Sequence, residues 1–238
     1  MRNSPRCWAV VPAAGIGSRM GTDIPKQYLP LNGRPVIEHT LQRLASVEEV
    51  AGIVVAVGDH DSWWSIIRPL PDKPLIRVSG GAERCHSVLN ALETLHERGV
   101  SEEWVLVHDA ARPCVRRDDV ERLIRTVGET GKGGLLGAPV CDTVKRVDEE
   151  GCVIATVERT GLWRAFTPQM FPLGALHRAL VDAMEKGELV TDEASAMELA
   201  GHRPLMVEGR GDNIKITRPA DLALAELFLR RQEEESCG

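Results

Sequence analysis

The run Trp8-Ala9-Val10-Val11-Pro12-Ala13-Ala14-Gly15-Ile16-Gly17-Ser18-Arg19-Met20-Gly21, followed by Pro25-Lys26-Gln27-Tyr28, decides how the rest of the chain is read. Its first four residues are apolar on both faces, the pattern of a buried parallel strand. Small residues and glycines directly after such a strand let backbone N–H groups close around phosphate oxygens, and Arg19 and Lys26 add charge that the backbone lacks. The spacing G-x-x-x-x-G-K-[ST] is absent, so this is no P-loop. Gly15, Gly17 and Gly21 fall in G-x-G-x-x-x-G, closer to a dinucleotide fingerprint. That fold wants an acidic residue about 20 positions on, where this chain has Pro35. A tight strand-to-helix turn with no ligand would also satisfy the glycines.

Outward from this run the pattern repeats. Residues 53–57, 75–78 and 104–107 are short apolar runs, predicted as further buried strands. Between the strands, 36–44, 63–67, 88–95 and 120–127 carry apolar residues at intervals of three and four, as on helices covering a sheet. This alternation predicts an α/β protein with a doubly wound, mostly parallel sheet, right-handed crossovers and ligands outside the carboxyl ends of the strands. After Pro139 the period changes: residues 143–159 alternate apolar and polar around Asp148-Glu149-Glu150-Gly151, which predicts an antiparallel hairpin. We read it as an arm at about 141–160 projecting from one domain spanning 1–238, with a plain edge hairpin as the alternative. A helix over 176–184 follows, then Thr191-Asp192-Glu193 as a capped acidic helix start, and Thr217-Arg218-Pro219 opening a last helix over 220–229 before a polar tail, 230–238.

Composition removes whole classes of function. With 238 residues, 29 Lys+Arg against 35 Asp+Glu and a net charge of -6, the chain does not suit nucleic-acid coating. One Tyr and three Phe leave few platforms for stacking on single strands. The six cysteines, at 7, 85, 114, 141, 152 and 237, show no C-x-x-C pair, and read as reduced thiols of a cytoplasmic protein. Arg2 and Arg6 before the apolar run 7–14 imitate a signal peptide, but Pro12, Gly15, Gly17 and Arg19 break it early, so export is not expected. No apolar stretch reaches the roughly 20 residues of a membrane helix.

Two further motifs follow strands. In Ser79-Gly80-Gly81-Ala82-Glu83-Arg84, the glycines permit close approach to a planar base, whose edge Arg84 and Ser87 can hydrogen-bond. A plain helix N-terminus with a solvated arginine is the alternative. In His108-Asp109-Ala110-Ala111-Arg112-Pro113, a carboxylate at a strand end facing the phosphate loop suits Mg²⁺, and Arg112 can hold a second phosphate. A surface ion pair would show the same spacing. Asp142-Thr143-Val144-Lys145-Arg146, Arg159, Thr167-Pro168-Gln169 and Asn213-Ile214-Lys215-Ile216-Thr217 gather polar residues at element ends. Lys215, in a strand-like run between two isoleucines, must reach a cleft or snorkel. The histidines at 39, 60, 86, 96, 177 and 202 show no metal or triad spacing, and Cys114 has no evident base.

Taken in order, PAAGIGSRM, PKQY, GG-x-x-R-x-x-SV, HDAARP, PV-x-DTVKR, TPQMF, TDEAS and NIKITRP, from Val10 to Leu224, resemble the 2-C-methyl-D-erythritol 4-phosphate cytidylyltransferase family of non-mevalonate isoprenoid precursor biosynthesis. The resemblance implies a Rossmann-like fold, CTP as co-substrate, Mg²⁺ and a homodimer joined through the arms. It implies that Pro12, Ala13, Ala14, Gly15 and Gly17 cradle the CTP phosphates, and that Arg19 and Lys26 stabilise a pentavalent transition state. Gly80, Gly81, Arg84 and Ser87 would read cytosine, and Asp109 would hold Mg²⁺. Arg112, Thr143, Arg159 and Lys215 would surround the sugar phosphate, with Arg159 delivered by the partner's arm and Arg159 and Lys215 also acting in catalysis. Thr167, Thr191 and Asp212 complete the implied substrate site. Ala220 and Cys114 depart from the family's pattern without touching the chemistry.

The implied reaction needs no nucleophilic side chain. A phosphate monoester is already ionised at neutral pH and attacks the α-phosphorus of CTP in line, so positioning and charge stabilisation carry the catalysis. A related cytidylyltransferase acting on ribitol 5-phosphate is the alternative, although the PAAG and HDAARP wording favours methylerythritol phosphate. A silent nucleotide-sensing module would be expected to lack Lys26, Asp109 or Lys215, and a dinucleotide oxidoreductase to carry the acidic partner missing at Pro35.

Overall fold

The structure is a computed structural model that describes residues 4–15, 20–21, 23–68, 73–100 and 103–236. Among these the chain runs β1 (Cys7–Pro12), β2 (Pro30–Leu31), β3 (Arg34–Pro35), α1 (Val36–Ala45), β4 (Val50–Val57), β5 (Leu75–Ser79), α2 (Arg84–Glu97), β6 (Trp104–Val107), α3 (Arg117–Thr130), β7 (Gly134–Pro139), β8 (Val144–Val147), β9 (Val153–Val157), β10 (Trp163–Pro172), α4 (Leu173–Glu185), α5 (Glu193–Leu199), β11 (Leu205–Glu208) and α6 (Pro219–Ser236). Seven strands form one sheet in the order β11-β7-β10-β6-β1-β4-β5. Neighbours pair in parallel except β10, which runs antiparallel to both β6 and β7.

The alternation of β1 explains the layering. Ala9 and Val11 pack with Ile53, Val55 and Leu106 under α1 and α3, while Val10 packs with Val54, Val105 and Val107 under α2, α4 and α5. Because both faces are covered, the central strands are apolar throughout, as their sequence predicts. A smaller cluster of Met20, Leu29, Val36, Cys114, Ile216 and Leu229 seats α6 beside the first loop. Sharp helix ends have local causes: Asp192 Oδ1 accepts the Ser195 N–H at the start of α5, and Gly131 ends α3 at φ 65°.

Five expectations need correction. The run 75–78 is a strand but not a buried one: β5 is the edge of the sheet, paired on one side only, so Arg77 is exposed and its neighbours are half-buried. Residues 63–67 form only a 3-10 turn over Trp64–Ile66, because Asp61 Oδ1 captures the N–H groups of Trp63 and Trp64 at 2.9 and 3.1 Å and closes the turn locally. Most of the tail 230–238 is helical, since α6 continues to Ser236. Arg231 pairs with Glu235 one turn on at 3.0 Å, and Arg116 holds the same glutamate at 2.6 Å. Residues 213–217 are extended but join no ladder; the Ile216 N–H bonds the Ala111 carbonyl at 2.8 Å and the Ile216 carbonyl accepts from Lys26 Nζ at 3.2 Å. Thr167-Pro168-Gln169 is not an element end but the buried middle of β10, at a register shift against β7. The hairpin is as expected, β8 against β9, with Val147, Val153 and Ile154 exposed.

Candidate active site

The site lies at the carboxyl ends of β1, β5 and β6, on both sides of the point where the strand order reverses, which is where open α/β sheets bind ligands. The loop after β1 is braced rather than loose. Ala13 N–H bonds the Ala56 carbonyl at 2.7 Å, and Gln27 Nε2 donates to the carbonyls of Ala13 and Gly15 at 2.7 and 3.0 Å. The loop after β5 presses against it: a Cβ on Gly80 would stand 2.3 Å from that of Ala14, and one on Gly81 would stand 2.2 Å from that of His86. These glycines are therefore required by the contact between the two loops and by the packing on α2, whatever the ligand. Ser87 Oγ accepts the Gly81 N–H at 3.0 Å and donates to the Glu83 carbonyl at 3.2 Å.

Between the loops opens a cleft of about 190 Å³, lined by Pro12, Ala13, Ala14, Gly15, Lys26, Gln27, Gly81, Ala82, Glu83, Arg84, Ser87, Asp109, Ala110, Ala111 and Lys215. Asp109 is its electrostatic centre. Oδ1 accepts from Arg84 Nε at 3.1 Å, and Oδ2 accepts from Arg112 Nε at 3.3 Å and Lys215 Nζ at 3.0 Å. Burial by itself would raise this carboxyl, but Arg84, Lys215 and Arg112 outweigh it and hold it far below the ordinary carboxylate range. Burial would likewise lower Arg84, yet Glu193 and Asp109 raise it. For Arg112 burial prevails and the guanidinium is lowered.

Behind Asp109 stands a neutral support. Its N–H donates to Thr167 Oγ1 at 3.1 Å, the Thr167 hydroxyl faces His108 Nδ1 at 3.0 Å, and His108 Nε2 meets the Arg112 carbonyl at 3.1 Å. The Arg112 carbonyl can only accept, so His108 carries its proton on Nε2 and Nδ1 accepts from the Thr167 hydroxyl. Full burial pushes this imidazole down to about 4. Asn213 closes the circuit, donating to the Thr167 carbonyl at 2.8 Å and accepting Arg112 Nη1 on its own carbonyl at 2.7 Å.

Of the residues expected from sequence, Pro12, Ala13, Ala14, Gly15, Lys26, Gly81, Arg84, Ser87, Asp109 and Lys215 line one cleft, and Gly80, Arg112 and Thr167 stand directly behind it. Gly17 and Arg19 lie outside the described residues. Thr143 and Arg159 sit at the exposed base of the arm, where Arg159 Nη1 bonds the Cys141 carbonyl. Asp212 faces away, holding Arg116 at 2.9 Å and Gln232 at 3.0 Å, and Thr191 is an exposed residue before the α5 cap. Sequence reasoning missed Gln27, His108 and Asn213 as braces. Gln27 and Asn213 lay inside quoted motifs, but which carbonyl a side-chain amide reaches is set only by the fold.

A doubly wound sheet whose first loop faces a buried carboxylate ringed by cations defines a nucleotide-binding α/β enzyme of the nucleotidyl-transfer class. Residues 7–231 match the family described as 2-C-methyl-D-erythritol 4-phosphate cytidylyltransferase, IspD. The chain belongs to that family, and it is an enzyme, a cytidylyltransferase. It is similar to the protein of that name from Hahella chejuensis, 56% identical over 232 residues that cover 97% of this chain and 96% of the relative. It is also similar to that of Aeromonas hydrophila, 53% identical over 228 residues covering 96% and 91%. Among solved structures, the Francisella tularensis cytidylyltransferase superposes at a TM-score of 0.81 with 36% identity, covering 94% of this chain and 99% of that one. A 4-diphosphocytidyl-2C-methyl-D-erythritol synthase superposes at 0.83 with 37% identity and the same coverage. The ribitol 5-phosphate alternative is not favoured. Among the described residues no helix is long and apolar enough to cross a membrane.

Proposed function

We propose that this chain, as one nucleotidyltransferase domain, transfers CMP from CTP to 2-C-methyl-D-erythritol 4-phosphate, releasing pyrophosphate and serving isoprenoid precursor synthesis. The observation that carries this reading is the carboxylate of Asp109 held by Arg84, Arg112 and Lys215 opposite the loop after β1. In this reading the loop 12–17 cradles the CTP phosphates, and Arg19 and Lys26 stabilise charge that develops on them. The polyol phosphate oxygen attacks the α-phosphorus as its own nucleophile, with Arg112, Lys215 and Thr167 on its side of the cleft and Thr143 and Arg159 brought by a partner's arm. Thr191 and Asp212 belong to this proposed substrate site only through the family, since neither enters the cleft of this chain.

Cytosine fits what the base side still offers. Arg84 has five N–H groups, and three of its nitrogens already each donate one bond, to Asp109 and Glu193. Two N–H groups therefore remain, and Ser87 keeps one acceptor site. The cytosine edge presents two acceptors and an amino donor, the complement of that set. Mg²⁺ also fits the donor chemistry: a carboxylate offers about four lone-pair sites, and three bonds occupy Asp109, leaving one on Oδ1. Magnesium uses one or two carboxylates with phosphate oxygens, so Asp109 would hold it, and the ion would neutralise charge on the transferring phosphate.

Two further parts of the proposal concern assembly and place. The exposed Val147, Val153 and Ile154 of β8 and β9 support pairing of the arm with a second copy. A cytoplasmic location, without nucleic-acid or membrane partners, rests on the cysteine usage, the acidic composition and the lack of a long apolar stretch. The test of function is pyrophosphate release from CTP and Mg²⁺ with methylerythritol phosphate or ribitol 5-phosphate. Preference for the first is expected; preference for the second would overturn the substrate assignment.

A further inference from the structure

We infer that Glu193 is a positioning residue for the reaction, acting on Asp109 through Arg84. This rests on the reading of Asp109 as the ligand-holding carboxylate of the cleft. Glu193 does not line the cleft, and its side chain is 1% exposed. A carboxylate that deeply buried is costly unless paired and bonded, and the pairing here is specific: Oε1 and Oε2 take Arg84 Nη1 at 2.6 Å and Nη2 at 3.1 Å, a two-pronged clamp. The clamp has a fixed mount. Gln169 of β10 donates to Asp192 Oδ2 at 2.8 Å and accepts the Ala194 N–H at 2.8 Å, so the start of α5 is tied to the sheet on both sides of Glu193.

The clamp decides how Arg84 meets Asp109. With both Nη atoms on Glu193, only Nε reaches Asp109, at 3.1 Å, and one lone-pair site of Oδ1 stays open. A guanidinium prefers to grip a carboxylate with two parallel bonds. Without Glu193, Arg84 would turn its fork onto Asp109 and cover that open site. The charge balance moves in the same sense: Arg84, Arg112 and Lys215 face Asp109 and Glu193, and loss of Glu193 leaves three cations on one carboxylate.

The test compares wild type, Glu193→Gln, Glu193→Asp, Arg84→Met and the double variant Arg84→Met/Glu193→Gln by crystal structure and by pyrophosphate release. In Glu193→Gln, Arg84 should place two bonds on Asp109; retention of the single Nε contact overturns the inference, and this readout needs no turnover. The value of kcat should fall about tenfold or more, the range for supporting partners of a site, and KM for CTP should rise with it, because the turned guanidinium no longer offers cytosine the same N–H groups. Adding Glu193→Gln to Arg84→Met should change kcat by less than about twofold, because the glutamate acts only through the arginine. Multiplying losses, or wild-type kcat in Glu193→Gln, would overturn it. If Glu193→Gln does not fold, Glu193→Asp decides, since its shortened clamp should lower kcat with little change in melting temperature and an unchanged kcat refutes the role. Wild-type silence with CTP and both polyol phosphates would instead refute the proposed function, leaving the crystallographic outcome to judge Glu193.

Discussion

Asp109 and Lys26 show how single side chains take their roles from neighbours. The carboxylate stays ionised in a buried position because three cations outweigh its desolvation. Lys26 reaches the Ile216 carbonyl at 3.2 Å, which ties the first loop to the segment bearing Lys215. Replacing Lys26 or Arg19 by alanine should each lower kcat about 10²-fold, the scale of a lost transition-state donor; near-normal turnover in both would sink their assignment. Thr167 is different. Its hydroxyl is engaged by the Asp109 N–H and by His108, so Thr167→Val leaves two buried groups unpaired. Urea unfolding should show a loss of about 1–3 kcal/mol, and an unchanged midpoint would mean that water replaces the hydroxyl.

At the scale of elements, the two loops around the cleft behave as one piece. Gly80→Ala would drive a methyl into Ala14 and toward the Val57 carbonyl. We expect a stability loss of about 1–3 kcal/mol, typical of overpacking, together with a raised KM for CTP. Unchanged kinetics and stability would show that the loops part easily. The hairpin of β8 and β9 has its own test: deleting residues 143–157 should convert a dimer to a monomer by sedimentation, and an unaltered native mass would remove the arm from the interface. These elements were unevenly legible. The runs in β1, β4 and β6 announced themselves because both faces are buried, and the hairpin because its alternation and turn are local. Strand β10 did not, since Thr167 and Gln169 look like surface residues until their partners, Asp109 N–H and the α5 start, are in place.

For the molecule as a whole, acid should be the weak side. His108 is lowered from 6.5 to about 4 by burial, so the unfolded chain takes up its proton first as pH falls. Stability is then full above pH 6.5 and declines toward pH 4, by about 3 kcal/mol for a shift of this size. His39 is lowered as well, also mainly by burial, and acts with the same sign. The depressed Asp109 stabilises the fold above the ordinary carboxylate range and loses that contribution only below it. Urea titrations between pH 7 and 4.5 should show the decline, and a flat profile would contradict a neutral, buried His108.

The amino-acid sequence alone determined the alternating α/β architecture, the glycine-rich first loop and the list of cations, because strand burial, helix periodicity and glycine turns are written in local residue order. Which cation meets which carboxylate was decided only by the tertiary structure. Arg84 and Glu193 are 109 positions apart, and Lys26 and Ile216 are 190 apart. Such pairs form only when the crossovers bring distant strand ends together, since hydrogen bonds and ion pairs act over a few ångströms, whereas sequence periodicity reports only which face of an element is buried.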